Sequence, residues 1–322
     1  MNSQPRPSVV AVTGASGYIG SRLLQELEEE ENLAKVVAID TKPLEVPFHN
    51  VFLERMDVTQ PLDDTFRGHN VNVVVHLAFT IKPGRTQNEV EKIRRSNLDG
   101  VRSVLKACCA AKVRNFIYLS SHTIYGAHRS NTVPMTEEVS PRPSPDFQYA
   151  YDKALCEGSV QDFAGEHPEV NVTVLRSCVV MGPGADNFVT RAFFKPVLLG
   201  VMGYNPPMQF LHEDDLAKLL HMLIIEPHPG TYNVAGEGVV HYKRMAQLSR
   251  RKLVSLPSAM AYPLTQMAWK LGIQKDSPAA GLDFIRYPIL ISTSKLKEAT
   301  GFSCFYTSEE ALMDYLPDDS LP

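Results

Sequence analysis

Tyr149 and Lys153 are the residues of this sequence whose types and spacing best fit proton transfer. They are four positions apart, so they would lie on the same face of a helix. A free tyrosine has a pKa of about 10, and a nearby ammonium group would lower that value by favouring the phenolate. The pair could then move a proton to or from a substrate oxygen while a hydride moves between carbon and a nicotinamide cofactor.

Two serines supply the context that this short motif needs. Ser120 and Ser121 stand at the carboxyl end of a predicted strand, and ligands of open α/β sheets bind at that edge. A serine hydroxyl there can hydrogen-bond the reacting oxygen. Ser-Ser is also an ordinary turn, but the combination with Tyr149 favours an active site that contains Ser121.

A glycine-rich segment lies between the first predicted strand and the first predicted helix. Its spacing is Gly-x-x-Gly-x-x-Gly, which permits a tight turn and a close approach of the backbone to a pyrophosphate. The N–H groups and the positive end of the helix dipole would hold the phosphates. The predicted cofactor-binding residues of this segment are Gly14, Ser16, Gly17, Tyr18, Ile19 and Gly20.

Asp40 ends the second predicted strand, 20 residues after Gly20. A carboxylate at this position can accept hydrogen bonds from the 2′-hydroxyl of an adenosine ribose and would repel a 2′-phosphate. The alternative is a solvated aspartate at a strand end. We favour the first interpretation, which predicts NAD as the cofactor in preference to NADP.

The elements that would position these residues alternate along the first half of the chain. Strands are predicted at 9–13, 35–39, 51–53, 71–77, 116–120 and 172–175, and helices at 19–30, 90–111 and 149–166. Several strands are wholly apolar, as in parallel sheets covered on both faces. The alternation predicts an α/β fold with a Rossmann-type, doubly wound parallel sheet.

The pattern changes after about residue 180, where loops rich in glycine and proline become frequent. Residues 211–236 return to a helix followed by a short strand. We therefore predict an NAD-binding Rossmann domain formed by 1–180 and 211–236. A smaller, discontinuous substrate-binding domain is predicted from 181–210 and 237–322.

No segment approaches the roughly 20 unbroken apolar residues that a membrane-spanning helix needs. The best amphipathic candidate is Ala259 to Ile273, which is interrupted by Pro263, Gln266 and Lys270. We predict that it is a helix lining a pocket. Peripheral membrane binding is the less favoured alternative.

Composition narrows the possible partners and compartments. The net charge of −4 over 322 residues gives no electrostatic case for a nucleic acid or an anionic membrane. The five cysteines form no Cys-x-x-Cys pair, which favours reduced thiols and a cytoplasmic location. Metal-binding motifs such as His-Glu-x-x-His are absent from the sequence, so no metal site is expected.

With these motifs in order, the chain resembles the extended branch of the short-chain dehydrogenase/reductase superfamily, the NAD-dependent epimerase/dehydratases. The resemblance runs from Val9 to about Ala235 and is looser towards the C-terminus. Further motifs that carry it are Asp57-Val58, His76-Leu77-Ala78, Ser96-Asn97-Leu98, Tyr125-Gly126, Leu175-Arg176, Gly182-Pro183-Gly184, Phe210-Leu211-His212 with Asp215, and Tyr232-Asn233-Val234.

The resemblance implies roles that the residues alone do not assign. It implies a catalytic tetrad of Asn97, Ser121, Tyr149 and Lys153, with Tyr149 and Lys153 also touching the cofactor. It places Asp57 and Val58 beside the adenine, Leu77 and Ala78 along the cofactor groove, and Ser177 and Cys178 near the nicotinamide. It also implies a homodimer built by the helices near 95–111 and 149–166.

Three functions fit these features. The first is an NAD-dependent oxidoreductase or epimerase that transfers a hydride reversibly at a secondary alcohol or ketone carbon of a small molecule. The second is a nucleotide-sugar, UDP-hexose 4-epimerase, and the third is an NAD-sensing regulator without turnover. The intact set of Ser121, Tyr149 and Lys153 argues against the regulator. His122 and Thr123 stand where related 4,6-dehydratases carry Asp-Glu, which predicts no dehydration.

Departures from the family pattern bear on the substrate. Met208 stands where nucleotide-sugar members usually carry a diphosphate-binding arginine, and Val179 stands where they tend to carry an asparagine. Arg286 lacks the glycine and aspartate expected around a C-terminal arginine. Because a buried diphosphate needs charge-assisted donors, we predict a substrate without one. Alternatively, Arg191, Lys195 or Arg286 grips a diphosphate from another direction.

Overall fold

The computed structural model describes residues 8–187, 189–191, 195 and 197–316. Its strands are β1 (Ser8–Thr13), β2 (Leu33–Asp40), β3 (Val51–Arg55), β4 (Val73–His76), β5 (Asn115–Ser121), β6 (Asn171–Ser177), β7 (Val179–Met181), β8 (Val197–Val201), β9 (Pro207–Met208), β10 (Phe210–His212), β11 (Gly230–Val234), β12 (Val240–His241) and β13 (Lys252–Leu256). Its α-helices are α1 (Tyr18–Leu27), α2 (Asp63–His69), α3 (Gln87–Ala111), α4 (Gln148–Glu166), α5 (Glu213–Ile225), α6 (Tyr242–Leu248), α7 (Ser258–Lys270), α8 (Ser294–Thr300) and α9 (Ser308–Tyr315).

Seven parallel strands form the central sheet in the order β11-β6-β5-β4-β1-β2-β3. The order reverses at β1, which pairs with β2 on one side and β4 on the other. This topology confirms the predicted doubly wound α/β sheet. Ligands of such sheets bind beyond the carboxyl ends of the strands at the reversal.

Both faces of the sheet are covered, as the apolar strands predict. In β1, Val10 and Val12 belong to the core shared with α1 and α5, whereas Val9 and Ala11 belong to the core shared with α2, α3 and α4. Adjacent side chains of a strand point to opposite faces, so one short apolar run supplies both cores. β1 and its glycine loop are fixed between these two layers.

The predicted elements of the first half are present, with differences at their ends. The first helix ends at Leu27 instead of residue 30, and α2 was not predicted. α2 has seven residues and a single buried side chain, Phe66, so it carries almost no periodic signal. α3 begins earlier than predicted, because its N-cap Thr86 forms a capping box with Glu89 in its first turn.

The C-terminal part contains short strand pairs and a third apolar core. β8 pairs with β13 in parallel, β9 with β12 in antiparallel orientation, and β7 with β10 in parallel. The β8–β13 pair was not predicted, because its strands are separated by some fifty residues. The division into two domains stays a prediction. No helix in the described part of the chain is long and apolar enough to cross a membrane.

Candidate active site

Ser121, Tyr149 and Lys153 come together in a cavity of about 110 Å³ at the carboxyl end of β5. Tyr149 and Lys153 lie one turn apart on α4, and Ser121 is the last residue of β5. The hydroxyl of Tyr149 is hydrogen-bonded to the side chain of Ser121. The structure therefore assembles three of the four predicted catalytic residues.

Lys153 is fixed by its surroundings. Its Nζ donates to the carbonyl oxygen of Leu119 at 2.7 Å and lies 4.1 Å from the centre of the Phe79 ring. The ammonium group is buried, and this lowers its pKa to about 8, although Cys156 and Glu157 oppose the shift. Burial disfavours the charged form because it removes water from the ammonium group.

Burial raises the pKa of Tyr149, and only its hydrogen bond with Ser121 acts in the other direction. The expected lowering of this pKa by Lys153 is wrong for this structure. The Lys153 ammonium donates to the carbonyl oxygen of Leu119, and burial dominates the shift of the Tyr149 pKa. Tyr149 is therefore a protonated group at neutral pH here, suited to give a proton to a substrate oxygen.

Asn97 lies apart from this cluster, although it is buried. Its Oδ1 accepts from the backbone N–H of Thr80 at 2.8 Å, and its Nδ2 donates to the Thr80 carbonyl oxygen at 3.3 Å. It lines the neighbouring groove and not the cavity of Tyr149. Its contacts fix the loop after β4, and its catalytic role stays a prediction.

A groove of about 430 Å³ runs from this cavity along the glycine loop. Tyr18, Ile19, Leu77 and Phe79 line both spaces, so the two adjoin each other. The groove is also lined by the predicted cofactor-binding residues Gly14, Ser16, Gly17, Gly20, Asp40, Asp57, Val58 and Ala78. Its lining fits a dinucleotide whose end would reach towards the cavity of Tyr149.

The loop geometry fits a bound pyrophosphate. Gly14 has a φ of +71°, and a Cβ there would lie 2.7 Å from the backbone nitrogen of Ala78. Gly17 is the N-cap of α1 and has no side chain to cover the first N–H groups of that helix. These N–H groups and the helix dipole are what a phosphate requires.

Asp40 holds the glycine loop beside the end of β2. One carboxylate oxygen accepts from the N–H of Ser16 and the other from the N–H of Lys42, both at 3.0 Å. Each carboxylate oxygen has a second lone pair, so both remain able to accept from a ribose hydroxyl. Lys42 also lines the groove, which the sequence reasoning missed.

Ser177 and Cys178 line the inner cavity, where the resemblance places the nicotinamide. The Ser177 hydroxyl donates to the carbonyl oxygen of Cys178 at 2.8 Å, and burial raises the pKa of the Cys178 thiol. Burial therefore favours the neutral thiol of Cys178.

Several cavity residues were missed by the sequence reasoning. Phe79 packs edge-on against the Tyr149 ring at 5.7 Å between centroids, and Asn187 is hydrogen-bonded to the hydroxyl of Tyr18. His122 is buried, its pKa is lowered to about 4 by burial, and its Nδ1 has no hydrogen-bond partner among the described residues. The signal for His122 was its place beside Ser121; Asn187 stands in a loop without a motif.

A buried ion pair between Arg176 and Glu157 anchors α4, the helix that carries Tyr149 and Lys153. Arg176 of β6 donates to Oε1 of Glu157 on α4 at 2.9 and 2.7 Å, from Nε and Nη2. Ser120 donates to the other oxygen of Glu157 at 2.5 Å. This network joins α4 to β5 and β6, so it fixes Lys153 relative to Ser121.

An outer cavity of about 340 Å³ opens beyond Tyr149, which lines it together with Arg191, Lys275 and Asp276. Arg191 lies 3.7 Å from Asp186 and is 44% exposed. Lys195 is paired with Asp276 at 2.5 Å. Of the three cations weighed for a diphosphate, Arg191 is the one that lines this cavity.

Arg286 is occupied elsewhere. Its guanidinium lies 4.9 Å from the ring centres of Tyr204 and Tyr287 and 5.7 Å from that of Tyr262, and it donates to the Tyr204 hydroxyl at 3.2 Å. Met208 is part of the short β9–β12 pair, opposite Val240. No group of His, Cys, Asp or Glu in the described residues could hold a metal ion.

A sequence profile of the NAD dependent epimerase/dehydratase family matches residues 10–235. The chain belongs to this family. It is therefore an enzyme of an NAD-dependent family, which confirms the resemblance found in the motifs and NAD as the predicted cofactor. The matched range includes the glycine loop and the cluster of Ser121, Tyr149 and Lys153.

Among individual proteins, an uncharacterised protein of Mycobacterium tuberculosis is 24% identical over 315 residues, which cover 96% of this chain and 83% of that protein. A UDP-glucose 4-epimerase of Dictyostelium discoideum is 29% identical over 67% of this chain and 71% of its own. The solved structure of a UDP-glucose 4-epimerase of Thermotoga maritima with UDP-glucose is similar, with a TM-score of 0.76 and 20% identity, covering 95% of this chain and 97% of that one. At this identity the structural likeness shows the fold.

Proposed function

We propose that this protein catalyses reversible, NAD-dependent hydride transfer at a secondary alcohol or ketone carbon, with Tyr149 as the acid/base. The observation that carries the proposal is that the glycine-loop groove adjoins the cavity of Ser121, Tyr149 and Lys153 and shares lining residues with it. A dinucleotide lying along the groove would end where a proton donor and a hydroxyl-binding serine stand together.

The residues divide the work between binding and proton transfer. In the reducing direction, Tyr149 gives its phenolic proton to the substrate oxygen, and in the oxidising direction the phenolate takes it back. Ser121 holds that oxygen by a hydrogen bond, and Lys153 holds the cofactor ribose. When bound, NAD would supply the hydride acceptor for oxidation, and NADH the hydride donor for reduction.

Replacing the phenol tests the chemical step. Tyr149→Phe removes the transferable proton but keeps the ring, so turnover should fall by about 100-fold or more while NAD affinity is retained. Tyr151→Phe is the matched control, because Tyr151 is on the same helix but lines neither cavity. Near wild-type turnover in Tyr149→Phe, on any substrate found by screening alcohols and ketones, would contradict the mechanism.

Lys153→Met tests cofactor binding, in contrast to the proton transfer tested by Tyr149→Phe. In this proposal Lys153 binds the cofactor ribose and supplies a positive charge to the site. Its loss should therefore weaken NAD binding as well as turnover. Calorimetric titration of NAD into both variants gives the contrast: affinity kept in Tyr149→Phe and reduced in Lys153→Met. Equal NAD affinities in the two variants would contradict a role of Lys153 in binding the cofactor.

We further propose that the substrate lacks a nucleoside diphosphate. The proposal is supported by Met208 in the β9–β12 pair, by Arg286 within a tyrosine cluster, and by Lys195 paired with Asp276. A UDP-hexose 4-epimerase is the second candidate, favoured by relatives that carry this name. Titrating UDP, UDP-glucose and UDP-galactose into the NAD-loaded protein distinguishes the two. Micromolar binding with interconversion of the sugars would establish the epimerase.

A homodimer and a cytoplasmic location complete the proposal. α3 and α4 pack side by side, joined by the Arg94–Asp152 ion pair at 2.7 Å, and would form the interface. All five cysteines are free thiols, which agrees with a reducing compartment. Light scattering of the purified protein checks the dimer, because a monomeric mass at micromolar concentration would contradict it.

A further inference from the structure

Helix α7 presents an apolar stripe that no other described element covers. Met260, Leu264, Met267 and Leu271 recur at intervals of four, three and four residues and are 51%, 44%, 54% and 67% exposed. This spacing places them on one face of the helix. Ile273, just beyond the helix, is 75% exposed and extends the patch.

The opposite face of α7 is packed against the protein. Ala261 and Trp269 are buried, and Tyr262 donates to Asp283 at 2.5 Å. The helix is therefore held in place by its inner face, so the outer stripe is not the result of a loose segment. Large apolar side chains scattered singly on a surface are ordinary, but five in one patch mark an interaction site.

Basic residues predominate in the stretch of sequence that contains α7, and the Asp283 carboxylate lies on the inner side of the helix, where it accepts from Tyr262. From Gly238 to Lys275 the chain has seven lysines and arginines and no aspartate or glutamate, although the whole protein carries a net charge of −4. Lys270 and Lys275 are exposed at the end of α7. The next acidic residue, Asp276, is already paired with Lys195.

A cation from the Rossmann part adds to this end of the helix. The guanidinium of Arg85 lies 5.7 Å from the ring centre of Trp269, and a Cβ on Gly272 would be 2.9 Å from its Nη1. Arg85 is therefore beside Leu271 and Ile273, the most exposed residues of the stripe. The net charge of the chain conceals this local excess of positive charge.

We propose that α7 docks the protein on an anionic lipid bilayer, with the stripe entering the interface and the cations meeting lipid phosphates. An apolar helix face flanked by lysine and arginine is the composition that binds at the lipid–water interface without crossing it. In a symmetric contact between two copies of α7 the same cations would face one another, because α7 contains no acidic residue.

The docking face adjoins the entrance to the proposed active site. Lys275 and Asp276, which line the outer cavity that reaches Tyr149, follow Ile273 by two and three positions. The back of α7 also lines a second space, through Tyr262, Gln266 and Trp269. The prediction that this helix lines a pocket and the present proposal therefore concern its two different faces.

Vesicle co-sedimentation of the full-length protein tests the proposal. The protein should bind vesicles of 70% phosphatidylcholine and 30% phosphatidylglycerol, bind pure phosphatidylcholine vesicles much more weakly, and lose affinity in 0.5 M salt as charges are screened. The combined variant Met267→Gln, Leu271→Gln and Ile273→Gln should bind the anionic vesicles at least about tenfold more weakly. Lys270→Gln with Lys275→Gln should weaken binding about fivefold per lysine.

The matched control removes three exposed apolar residues elsewhere, by Val46→Gln, Phe52→Gln and Phe305→Gln, which are 47%, 53% and 78% exposed. It should bind like the wild type. Thermal melting and NAD titration check that each variant is folded. No vesicle binding by the wild type, or equal loss in the control variant, overturns the proposal. A change in oligomer mass on removing the stripe, without vesicle binding, would show instead that the face joins two copies.

Discussion

The groove along the glycine loop and the cavity outside Tyr149 adjoin each other but draw their walls from different parts of the chain. The groove is lined by short motifs at the ends of β1, β2, β3 and β4, all between residues 14 and 97. The outer cavity combines residues near 81–83, 147–149, 191 and 275–278. Its walls meet only after the whole chain has folded.

This difference decides how well each region can be understood from sequence. In the groove, the backbone itself makes the site, so glycine spacing and one carboxylate suffice to recognise it. In the outer cavity, the side chains make the site, and each can change without disturbing a turn or a strand. The cofactor is therefore evident from motifs, whereas the substrate is not.

The largest expected effect is on NAD affinity when a side chain is added to the glycine loop. It tests whether the close approach of the backbone is required for cofactor binding. Gly14→Ala introduces a side chain at a φ of +71° and 2.7 Å from the Ala78 nitrogen, which together cost about 2–5 kcal/mol. NAD affinity should fall by about 100-fold or more, as measured by calorimetry. Gly238→Ala is the control, because its φ is +73° but nothing lies within 4 Å. If both variants bind NAD equally, the close approach at Gly14 is not essential.

A smaller effect is expected from the carboxylate that selects the cofactor. The protein should bind NAD more tightly than NADP, and Asp40→Asn should reduce that preference about tenfold, because a charge-assisted hydrogen bond becomes a neutral one. Lys42, which lines the groove, is then available to a 2′-phosphate. Asp99→Asn on α3 is a control outside the groove. A wild-type preference for NADP would reject the assignment of Asp40.

The pKa of Lys153, which lines the inner cavity beside the groove, predicts a pH dependence of NAD binding. Burial lowers this pKa to about 8. The amine is therefore charged below that pH, and its positive charge is lost as the pH rises through this value. NAD affinity should therefore decline several-fold between about pH 7 and 9. Glu157→Gln should move the midpoint to lower pH, since Glu157 raises the Lys153 pKa. An affinity independent of pH in this range would show that the charge is not used.

The smallest effect belongs to the substrate side. Arg286→Met removes contacts with three tyrosines, each worth about 0.5–1 kcal/mol, and should lower the melting temperature by about 4 °C without changing KM. Arg191→Met should leave stability unchanged, because that side chain is 44% exposed, and should raise KM only for an anionic substrate. A higher KM in Arg286→Met would show that this arginine contributes to substrate binding.

The sequence by itself determined the parallel sheet, the glycine loop, Asp40 and the triad of Ser121, Tyr149 and Lys153. These features follow from local rules, because strand periodicity, turn geometry and helical spacing act within a few residues. The short helix α2 could not be predicted in this way, because Phe66 is its single buried residue and gives no periodic pattern.

Only the tertiary structure decided how charges and side chains are used. It directed Lys153 to Leu119 and left Tyr149 with a raised pKa, it placed Arg286 among tyrosines, and it left the apolar stripe of α7 uncovered. Each outcome depends on desolvation or on contacts between segments far apart in the chain. Neither burial nor such contacts can be inferred from residue types and spacing, because both arise from the packing of the whole fold.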